Sequence, residues 1–307
     1  MAGFIKKLKS NDRFMMVYRK LRNIVFIPLC ECCPVTLSKY RFKKVLHQKF
    51  DMQHVTTFNQ RLMKLKLTNY MDNPKVIQCA DKLRVRDYVS EKGCSEILIP
   101  LLGVYKTEKD IDWDLLPDRF ALKCNHGCGY NIICTNKSEL DKKKAARMLR
   151  YWMHLSCGAE SAERHYMRIK RCIIAEPYIS TDAGRFPRDY RFYCSYGEVK
   201  TCLIMHYDEE GYKEHKSFHI FVDTDYHVMD IANSIMEKDS LPAKPKCFDD
   251  MMKYASILSK EFPFVRVDLY DNNGKVMFGE LTFTPVACMG KYNESKVLDA
   301  LFGDIQK

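Results

Sequence analysis

The stretch FPFVRVDLYDNNGKVMFGELTFTP, residues 262–285, determines what kind of sheet the chain can form. Apolar and polar residues alternate on both sides of Asn-Asn-Gly, and this pattern predicts two antiparallel strands joined by a tight turn. Residues two apart share a face of a strand, so Arg266 lies beside Asp268, and Glu280 lies beside Thr282 on the partner strand. We therefore expect a hairpin with polar side chains on one face.

The hairpin is expected to place Asp268 opposite Glu280. Two carboxylates side by side are unfavourable unless a cation lies between them. Mg²⁺ is the natural cation, because it prefers hard oxygen ligands together with phosphate oxygens. The alternative is that one carboxylate pairs with Arg266 while the other is solvated, and the local pattern does not decide between the two.

A second hairpin is predicted around FALKCNHGCGYNIICTN, residues 120–136. An apolar strand ending in Lys123 precedes a turn that contains Gly127 and Gly129, and a second apolar strand follows. Glycines let backbone N–H groups approach phosphates closely, and a lysine adds a positive charge. Neither a Walker loop nor a dinucleotide-binding fingerprint is present. A plain hairpin turn is the alternative interpretation.

The rest of the chain predicts helices first and strands later. A basic amphipathic helix is expected at residues 4–27, ending at Pro28, and a further helix at 74–93. A charged helix is expected at 138–156, with Ser138 as its N-cap. Strands are expected to dominate residues 189–230. The predicted fold class is α+β, with mainly antiparallel strands.

The positive charge is concentrated at the N-terminus. Residues 1–75 contain 16 Lys and Arg against four Asp and Glu, whereas the remaining residues contain 34 against 35. This imbalance predicts a local anionic partner rather than a basic enzyme surface. No window is apolar enough to span a membrane, and the first residues do not predict a secretory signal. We therefore expect a cytoplasmic protein.

The fourteen cysteines are expected to be reduced thiols in that compartment. Two groups resemble metal ligands only superficially, because neither has zinc-finger spacing. They are Cys30, Cys32 and Cys33, and Cys124, His126 and Cys128. Buried thiols are the expected interpretation of both groups.

The order of the motifs along the chain is informative as well. The segments ADKLRVRDYV, FALKCNHGCGYNIIC, CIIAEPYI, DYRFYC, VRVDLY and GELTFTP follow one another over about residues 76–290. This series resembles the ATP-grasp superfamily, and its longer segments are similar to the TupA-like branch. The resemblance implies two α+β subdomains that clamp ATP. A helical basic region would occupy residues 1–75. The first ATP-grasp subdomain, residues 76–179, would contain the flap and the adenine hinge, and the second, residues 180–307, would contain a Mg²⁺-binding hairpin.

The resemblance also implies roles for particular residues. Lys82 and Lys123 would bind phosphates, and the turn with its two glycines would form a mobile flap. The remaining implied roles are adenine binding by Glu176 and Ile179, ribose binding by Asp189, coordination of one or two Mg²⁺ ions by Asp268 and Glu280, and stabilisation of the transferring phosphoryl group by Arg266.

Each of these implied roles has a structural alternative. Lys82 would lie on a solvated helix face, and Glu176 would cap a bend. Asp189 would pair with one of the arginines near it, Arg185, Arg188 and Arg191.

The activity implied by the resemblance is ATP-dependent, ADP-forming ligation of a carboxylate to an amine through an acyl phosphate. The branch is associated with teichuronopeptide and other bacterial surface polysaccharides such as capsules. The expected partners are therefore a carboxylate-bearing sugar or lipid-linked glycan and an amine or amino acid. A sugar kinase, a glycosyltransferase and a basic nucleic-acid-binding module are the alternatives.

Two departures from the superfamily pattern concern the closing hairpin. Thr282 stands where many ATP-grasp enzymes carry an asparagine metal ligand. The following loop, TPVACMGKY, lacks the expected glycines. The number of Mg²⁺ ions and the identity of the acceptor are therefore open.

The basic helix at 4–27 predicts peripheral contact with the anionic inner face of the membrane. Its alternative is a terminal helix packed on the protein body.

Overall fold

The computed structural model describes residues 12–179, 187–206, 218–231, 241–291 and 295–305. Within them the chain forms two antiparallel sheets with helices packed around them. The α+β class predicted from the sequence is confirmed.

The helices are concentrated in the first third of the chain and then alternate with the sheets. In chain order they are α1 (Asp12–Cys32), α2 (Pro34–Leu46), α3 (Phe58–Leu65), α4 (Pro74–Ala80), α5 (Val85–Glu91), α6 (Lys142–Met153), α7 (Arg164–Met167), α8 (Phe248–Ser259) and α9 (Lys296–Leu301). A π-helical turn, Lys66–Tyr70, extends α3.

The strands form one four-stranded and one five-stranded sheet. The first contains β1 (Gly103–Tyr105), β2 (Phe120–Cys124), β3 (Asn131–Cys134) and β4 (Ile173–Pro177), in the order β1-β4-β2-β3. The second contains β5 (Asp189–Ser195), β6 (Glu198–His206), β7 (Phe218–Val222), β8 (Val265–Asn272) and β9 (Lys275–Thr282), in the order β7-β6-β5-β8-β9. The largest apolar core packs α3, α4, α5 and α8 against the second sheet.

The closing hairpin has the predicted register. Asp268 lies opposite Glu280, and the two-residue turn is formed by Asn273 and Gly274, both with positive φ. The pairing shifts by one residue after Asp268, which leaves Gly279 as a bulge. A Cβ on Gly279 would lie 2.8 Å from the Asp268 carbonyl oxygen, so only glycine fits there.

The helix predicted at residues 74–93 is wrong, because the chain breaks between α4 and α5. Asp81 adopts an extended conformation, and its carboxylate accepts the backbone N–H of Leu83 at 2.9 Å. The same oxygen accepts the side-chain amide of Asn125 at 2.8 Å. This capping interaction competes with the helix, and it places Lys82 on a turn rather than on a helix face.

Two other predicted helix ends are also wrong. α1 continues past Pro28, since a proline removes only one helical hydrogen bond and the ladder resumes with Cys33 N–H donating to Leu29. α6 starts after Asp141, whose carboxylate caps it, so Ser138 is not the N-cap. Residues 4–11 of the predicted N-terminal helix lie outside the described residues.

Tyr70 links the helical region to the second sheet. Its hydroxyl donates to the Phe264 carbonyl at 2.7 Å and accepts the Phe264 N–H at 3.1 Å, in a fully buried position. We expect Tyr70→Phe to lower the free energy of unfolding by about 1–3 kcal/mol, because it leaves buried backbone groups unpaired. Urea denaturation measures this loss, and Tyr40→Phe, at an exposed tyrosine, is the control. Equal stability of both variants would contradict the prediction.

Candidate active site

A cleft of about 510 Å³ lies between the two sheets. Its walls come from β2, β3 and β4 on one side and from β5, β8 and β9 on the other. Eight of the ten residues expected from the sequence line it: Lys82, Lys123, Gly129, Glu176, Ile179, Asp189, Asp268 and Glu280. The other two, Gly127 and Arg266, each bond to a residue of that lining.

Asp268 is held by a bidentate ion pair with Arg266. The Nε atom donates to Oδ1 at 2.7 Å and Nη2 donates to Oδ2 at 2.5 Å. Both side chains are almost completely buried. Burial raises the pKa of Asp268, and Arg266 opposes that rise. One carboxylate of the hairpin therefore does pair with Arg266, as the alternative interpretation proposed.

Glu280 is held by a different cation. Its Oε2 atom lies 3.1 Å from the ammonium of Lys82, which also donates to the Gly127 carbonyl at 3.0 Å. Burial acts to raise the pKa of Glu280, but Lys82 and Arg266 outweigh it and lower that pKa to about 2. Glu280 is therefore a firmly ionised carboxylate, and Lys82 connects it to the glycine turn.

Lys123 and Glu176 form the third ion pair of the cleft. The Lys123 Nζ atom lies 2.6 Å from Oε2 of Glu176, on the neighbouring strand β4. Arg86 approaches the other carboxylate oxygen at 3.9 Å. Glu176 is 6% exposed, so its charge depends on these cations. It lies within the strand and pairs with a lysine instead of capping a bend.

The partner of Asp189 is Arg191, two residues along the same strand. The Asp189 Oδ2 atom lies 2.6 Å from Arg191 Nη2, and Arg191 Nε lies 3.8 Å from Asp268. Arg191 thus connects two of the predicted site carboxylates and lines the cleft itself. The sequence interpretation considered it only as a structural partner. Its spacing from Asp189 was the available signal, because residues two apart share a face.

The glycine turn is shaped by local sterics. Gly129 has a φ of +72°, which favours glycine. A Cβ on Gly127 would lie 2.0 Å from the ring of Tyr130. That ring stacks on Trp152, with the centroids 5.6 Å apart. Both glycines are therefore required by the turn itself, and the turn borders the cleft.

The expectation of buried thiols in the two cysteine groups is only partly correct, because Cys30 is buried whereas Cys32, Cys33 and Cys128 are exposed. All the cysteines of the described residues are free, and Cys124 is buried. His126 is buried as well, and its pKa is lowered to about 4 mainly by that burial. In the described part of the chain, the group of three potential metal ligands close enough to share an ion is Asp223, Asp225 and His227, outside the cleft.

The sequence matches the family model described as TupA-like ATP-grasp over residues 60–307. The chain belongs to the TupA-like ATP-grasp family. The match covers well over half of the chain and includes every residue that lines the cleft. It confirms the predicted family, branch and ATP-grasp fold. No curated protein sequence matches the chain closely enough to count as a relative.

Several solved structures resemble this TupA-like chain at low sequence identity. D-alanine–D-alanine ligase from Bacillus anthracis is 17% identical with a TM-score of 0.39, and the match covers 67% of this chain and 57% of that one. The corresponding enzyme from Helicobacter pylori is 10% identical, with a TM-score of 0.42 and coverages of 81% and 66%. D-cycloserine synthetase is 13% identical, with a TM-score of 0.43 and coverages of 92% and 96%. The chain therefore spans less than two thirds of the Bacillus anthracis ligase.

Thr282 of this ATP-grasp chain stands where asparagine was expected, and it is fully engaged. Its hydroxyl donates to Glu280 at 3.0 Å and accepts from Arg266 at 3.1 Å. Thr282 therefore positions the Glu280 carboxylate. Its hydroxyl needs no metal ion for this role.

The loop after β9 is fixed by an unusual backbone. Thr284 donates to the buried carboxylate of Glu163 at 2.6 Å, and three successive residues that are not glycine, Val286, Ala287 and Cys288, have φ values of 50°, 53° and 64°. Left-handed conformations of such residues are unfavourable and are found where the surroundings enforce them, often near functional sites.

Within the described residues, no helix combines the length and hydropathy needed to cross a membrane.

Proposed function

We propose that this protein is an ATP- and Mg²⁺-dependent ligase that joins a carboxylate to an amine. The observation that carries the proposal is the convergence of Lys82, Lys123, Asp268 and Glu280 on one cleft of an ATP-grasp chain. The same proposal divides the chain into two subdomains, residues 76–179 and residues 180–307, with the cleft between them.

The charges of the cleft suit a nucleotide that binds together with Mg²⁺. Three cations line it, Lys82, Lys123 and Arg191, against the four carboxylates Glu176, Asp189, Asp268 and Glu280. Arg266 and Arg86 also pair with Asp268 and Glu176, so the charges of the cleft are close to balanced, and a polyanionic triphosphate gains from a further cation between Asp268 and Glu280. Asp268 and Glu280 fit Mg²⁺, because they are hard oxygen donors directly opposite each other. When bound there, Mg²⁺ would neutralise charge on the transferring phosphoryl group.

The side chains of the chain itself then have distinct roles. Lys82 and Lys123 exchange carboxylate partners for phosphate oxygens and hold the nucleotide. Arg266 is a positioning residue, because it lies behind Asp268 and fixes both oxygens of that carboxylate. The γ-phosphoryl group passes to a substrate carboxylate oxygen and ADP leaves. The amine nitrogen then attacks the acyl carbon, loses a proton, and phosphate leaves.

The proposed carboxylate belongs to an acidic sugar of a surface polysaccharide or of its lipid-linked precursor, and the amine is an amino acid or small amine. The family assignment supports this substrate class. Nucleotide turnover with defined acceptors tests it. ADP release that requires both a carboxylate and an amine supports the ligase, whereas ADP release with a hydroxyl acceptor alone identifies a kinase.

We infer that α1 also contacts an anionic membrane surface. Its inner face packs on the body through Asn23, Phe26 and Cys30. Its outer face exposes an apolar stripe that includes Leu21 and Ile24, at 58% and 68% exposure. The strong positive charge of the N-terminal region complements anionic lipid, and the apolar stripe suits shallow insertion at the interface. The positive charge and the exposed apolar area together support an anionic membrane as the partner of the outer face of α1.

Replacing Leu21 and Ile24 by Glu is expected to abolish sedimentation of the full chain with vesicles that contain anionic phosphatidylserine. The two changes remove inserted apolar area and add negative charge, and each lies on the outer face, so folding is retained. Leu115→Glu is the control, since Leu115 is 82% exposed and does not belong to this helix. Binding that persists in the double variant, or wild-type protein that ignores anionic vesicles at low salt, would refute the membrane proposal.

A further inference from the structure

The ammonium of Lys82 joins the two sheets that form the cleft. It donates to the Gly127 carbonyl at 3.0 Å, in the glycine turn of the first sheet, and to Oε2 of Glu280 at 3.1 Å, in β9 of the second sheet. The Lys82 side chain lines the cleft and is 14% exposed. Burial acts to lower the pKa of Lys82, but Glu280 outweighs that effect and raises the pKa. The bridge is therefore made by a charged ammonium.

The two carboxylates proposed to hold the divalent cation are already engaged at all four oxygens. Oε1 of Glu280 accepts the Thr282 hydroxyl at 3.0 Å, and Oε2 accepts from Lys82. Asp268, directly opposite, accepts from Arg266 at both of its oxygens. A divalent cation that enters between Asp268 and Glu280 therefore competes with cations of the protein for the same oxygens.

Lys82 is the protein cation that can leave. Arg266 is 5% exposed and holds Asp268 with two hydrogen bonds, whereas Lys82 carries its charge on a flexible four-carbon stem. The backbone of Lys82 is anchored separately. Its N–H donates to the Asn125 carbonyl at 3.1 Å, and the Asn125 side chain donates to Asp81 at 2.8 Å. The ammonium can thus move within the cleft while the backbone stays in place.

A nucleotide supplies a competing partner for this ammonium. Phosphate oxygens are strong, charged acceptors for lysine, and Lys82 lines the cleft in which they are proposed to bind. When Lys82 pairs with a phosphate, Oε2 of Glu280 no longer has a protein cation beside it. Binding of phosphate then favours binding of the divalent cation, and such coupling between two ligands is reciprocal.

We propose that Lys82 is a latch that keeps the cation site of Asp268 and Glu280 closed until a nucleotide arrives. This inference rests on the proposed ligase function and adds the order of binding at the same cleft. As long as no nucleotide is bound, the ammonium holds Glu280 and the Gly127 carbonyl together, and a divalent cation alone binds weakly. The phosphates draw the ammonium away, which opens the cation site and releases the glycine turn in one movement.

Binding of Mn²⁺ to the full chain without nucleotide tests the latch. Mn²⁺ takes the same oxygen ligands as Mg²⁺, and the electron paramagnetic resonance signal of free Mn²⁺ reports how much is bound. We expect Lys82→Met to bind Mn²⁺ about 10-fold or more tightly than the wild type, since a charge-assisted hydrogen bond no longer competes for Glu280. Lys82→Gln, which removes the charge but keeps a donor for Gly127, should show the same gain. Wild-type affinity in both variants overturns the proposal.

Two further variants show whether the additional Mn²⁺ binds where the latch predicts. Lys123→Met is the matched control, because it removes a lysine of the same cleft that pairs with Glu176 instead. It should change the Mn²⁺ affinity by less than about 3-fold, since its charge does not compete for Glu280. Adding Glu280→Gln to Lys82→Met should abolish the gain. An equal gain in Lys123→Met, or a gain that persists without the Glu280 carboxylate, overturns the latch.

Hydrogen exchange tests the second contact of the ammonium. The backbone amides of residues 126–130 should exchange about 5-fold or more faster in Lys82→Met than in the wild type, because the Gly127 carbonyl has lost its donor. Unchanged exchange in Lys82→Met overturns the link between the cation site and the glycine turn.

Turnover assays separate this inference from the proposed function. A wild-type chain that forms the amide, with a Mn²⁺ affinity that Lys82→Met does not change, overturns the latch and leaves the ligase standing. A chain that forms no ADP with any carboxylate and amine, yet gains Mn²⁺ in Lys82→Met, refutes the ligase and supports the latch.

Discussion

Replacing Glu280 by Gln is expected to reduce Mg²⁺-dependent turnover by about 10³-fold, equivalent to about 4 kcal/mol of transition-state stabilisation. The physical reason is the loss of a charged oxygen donor of the proposed Mg²⁺ site, directly opposite Asp268. The apparent affinity for Mg²⁺ should fall as well, so excess Mg²⁺ should restore part of the activity. Turnover measured against Mg²⁺ concentration checks both expectations.

The control is Glu198→Gln, which removes an exposed carboxylate from the same sheet. It should leave turnover and Mg²⁺ dependence unchanged. If Glu280 serves only to neutralise Lys82, then Glu280→Gln should instead tighten ATP binding with no change in Mg²⁺ dependence. That outcome would remove Glu280 from the proposed metal site.

Asp268→Asn is expected to lose turnover to a similar extent, but it carries a stability cost as well. Arg266 is 5% exposed, and the substitution takes away its bidentate partner. Removing one member of a buried pair typically costs about 3–5 kcal/mol. The folded fraction of the Asp268→Asn variant must therefore be measured together with its turnover. Glu280→Gln is the cleaner test of metal binding.

The closing hairpin was predictable because its geometry is local. Alternating strands on each side of Asn-Asn-Gly specify the hairpin, but an uninterrupted register would pair Asp268 with Gly279. The bulge at Gly279 shifts the pairing by one residue and places Glu280 opposite Asp268. Predicting that the remaining site residues converge on one cleft required the resemblance to the ATP-grasp superfamily. No local pattern connects Lys82 with a strand some 200 residues later.

The ion pairs of the cleft could not be predicted in the same way. Lys82 lies on a turn that brings it to Glu280, because the Asp81 carboxylate accepts hydrogen bonds from Leu83 and Asn125 and ends the helix there. Helical periodicity gives no sign of such a tertiary contact. Lys123 and Glu176 become partners through the antiparallel pairing of β2 and β4, which are separated by α6 and α7 in the chain. Tertiary pairing thus determines which charges meet.

Replacing Lys123 by Ala is expected to weaken ATP binding roughly 10- to 100-fold and to lower turnover with it, because in the proposed complex the ammonium contacts phosphates in both ground and transition states. Lys123→Arg should recover only part of the loss, since a planar guanidinium does not reproduce a compact ammonium. Nucleotide titration and turnover measure these effects. Lys142→Ala, at an exposed lysine on α6, is the control.

The pairing of Lys123 with Glu176 adds a second cause that the experiment must separate. Without Lys123, the buried carboxylate retains only the distant Arg86 and repels the phosphates. The double variant Lys123→Ala, Glu176→Gln removes that repulsion. If Lys123 binds phosphate directly, ATP binding stays weak in the double variant, and ATP no longer protects the glycine turn from proteolysis. If binding and protection return to wild-type levels, Lys123 acts only by neutralising Glu176, and its proposed contact with the phosphates is wrong.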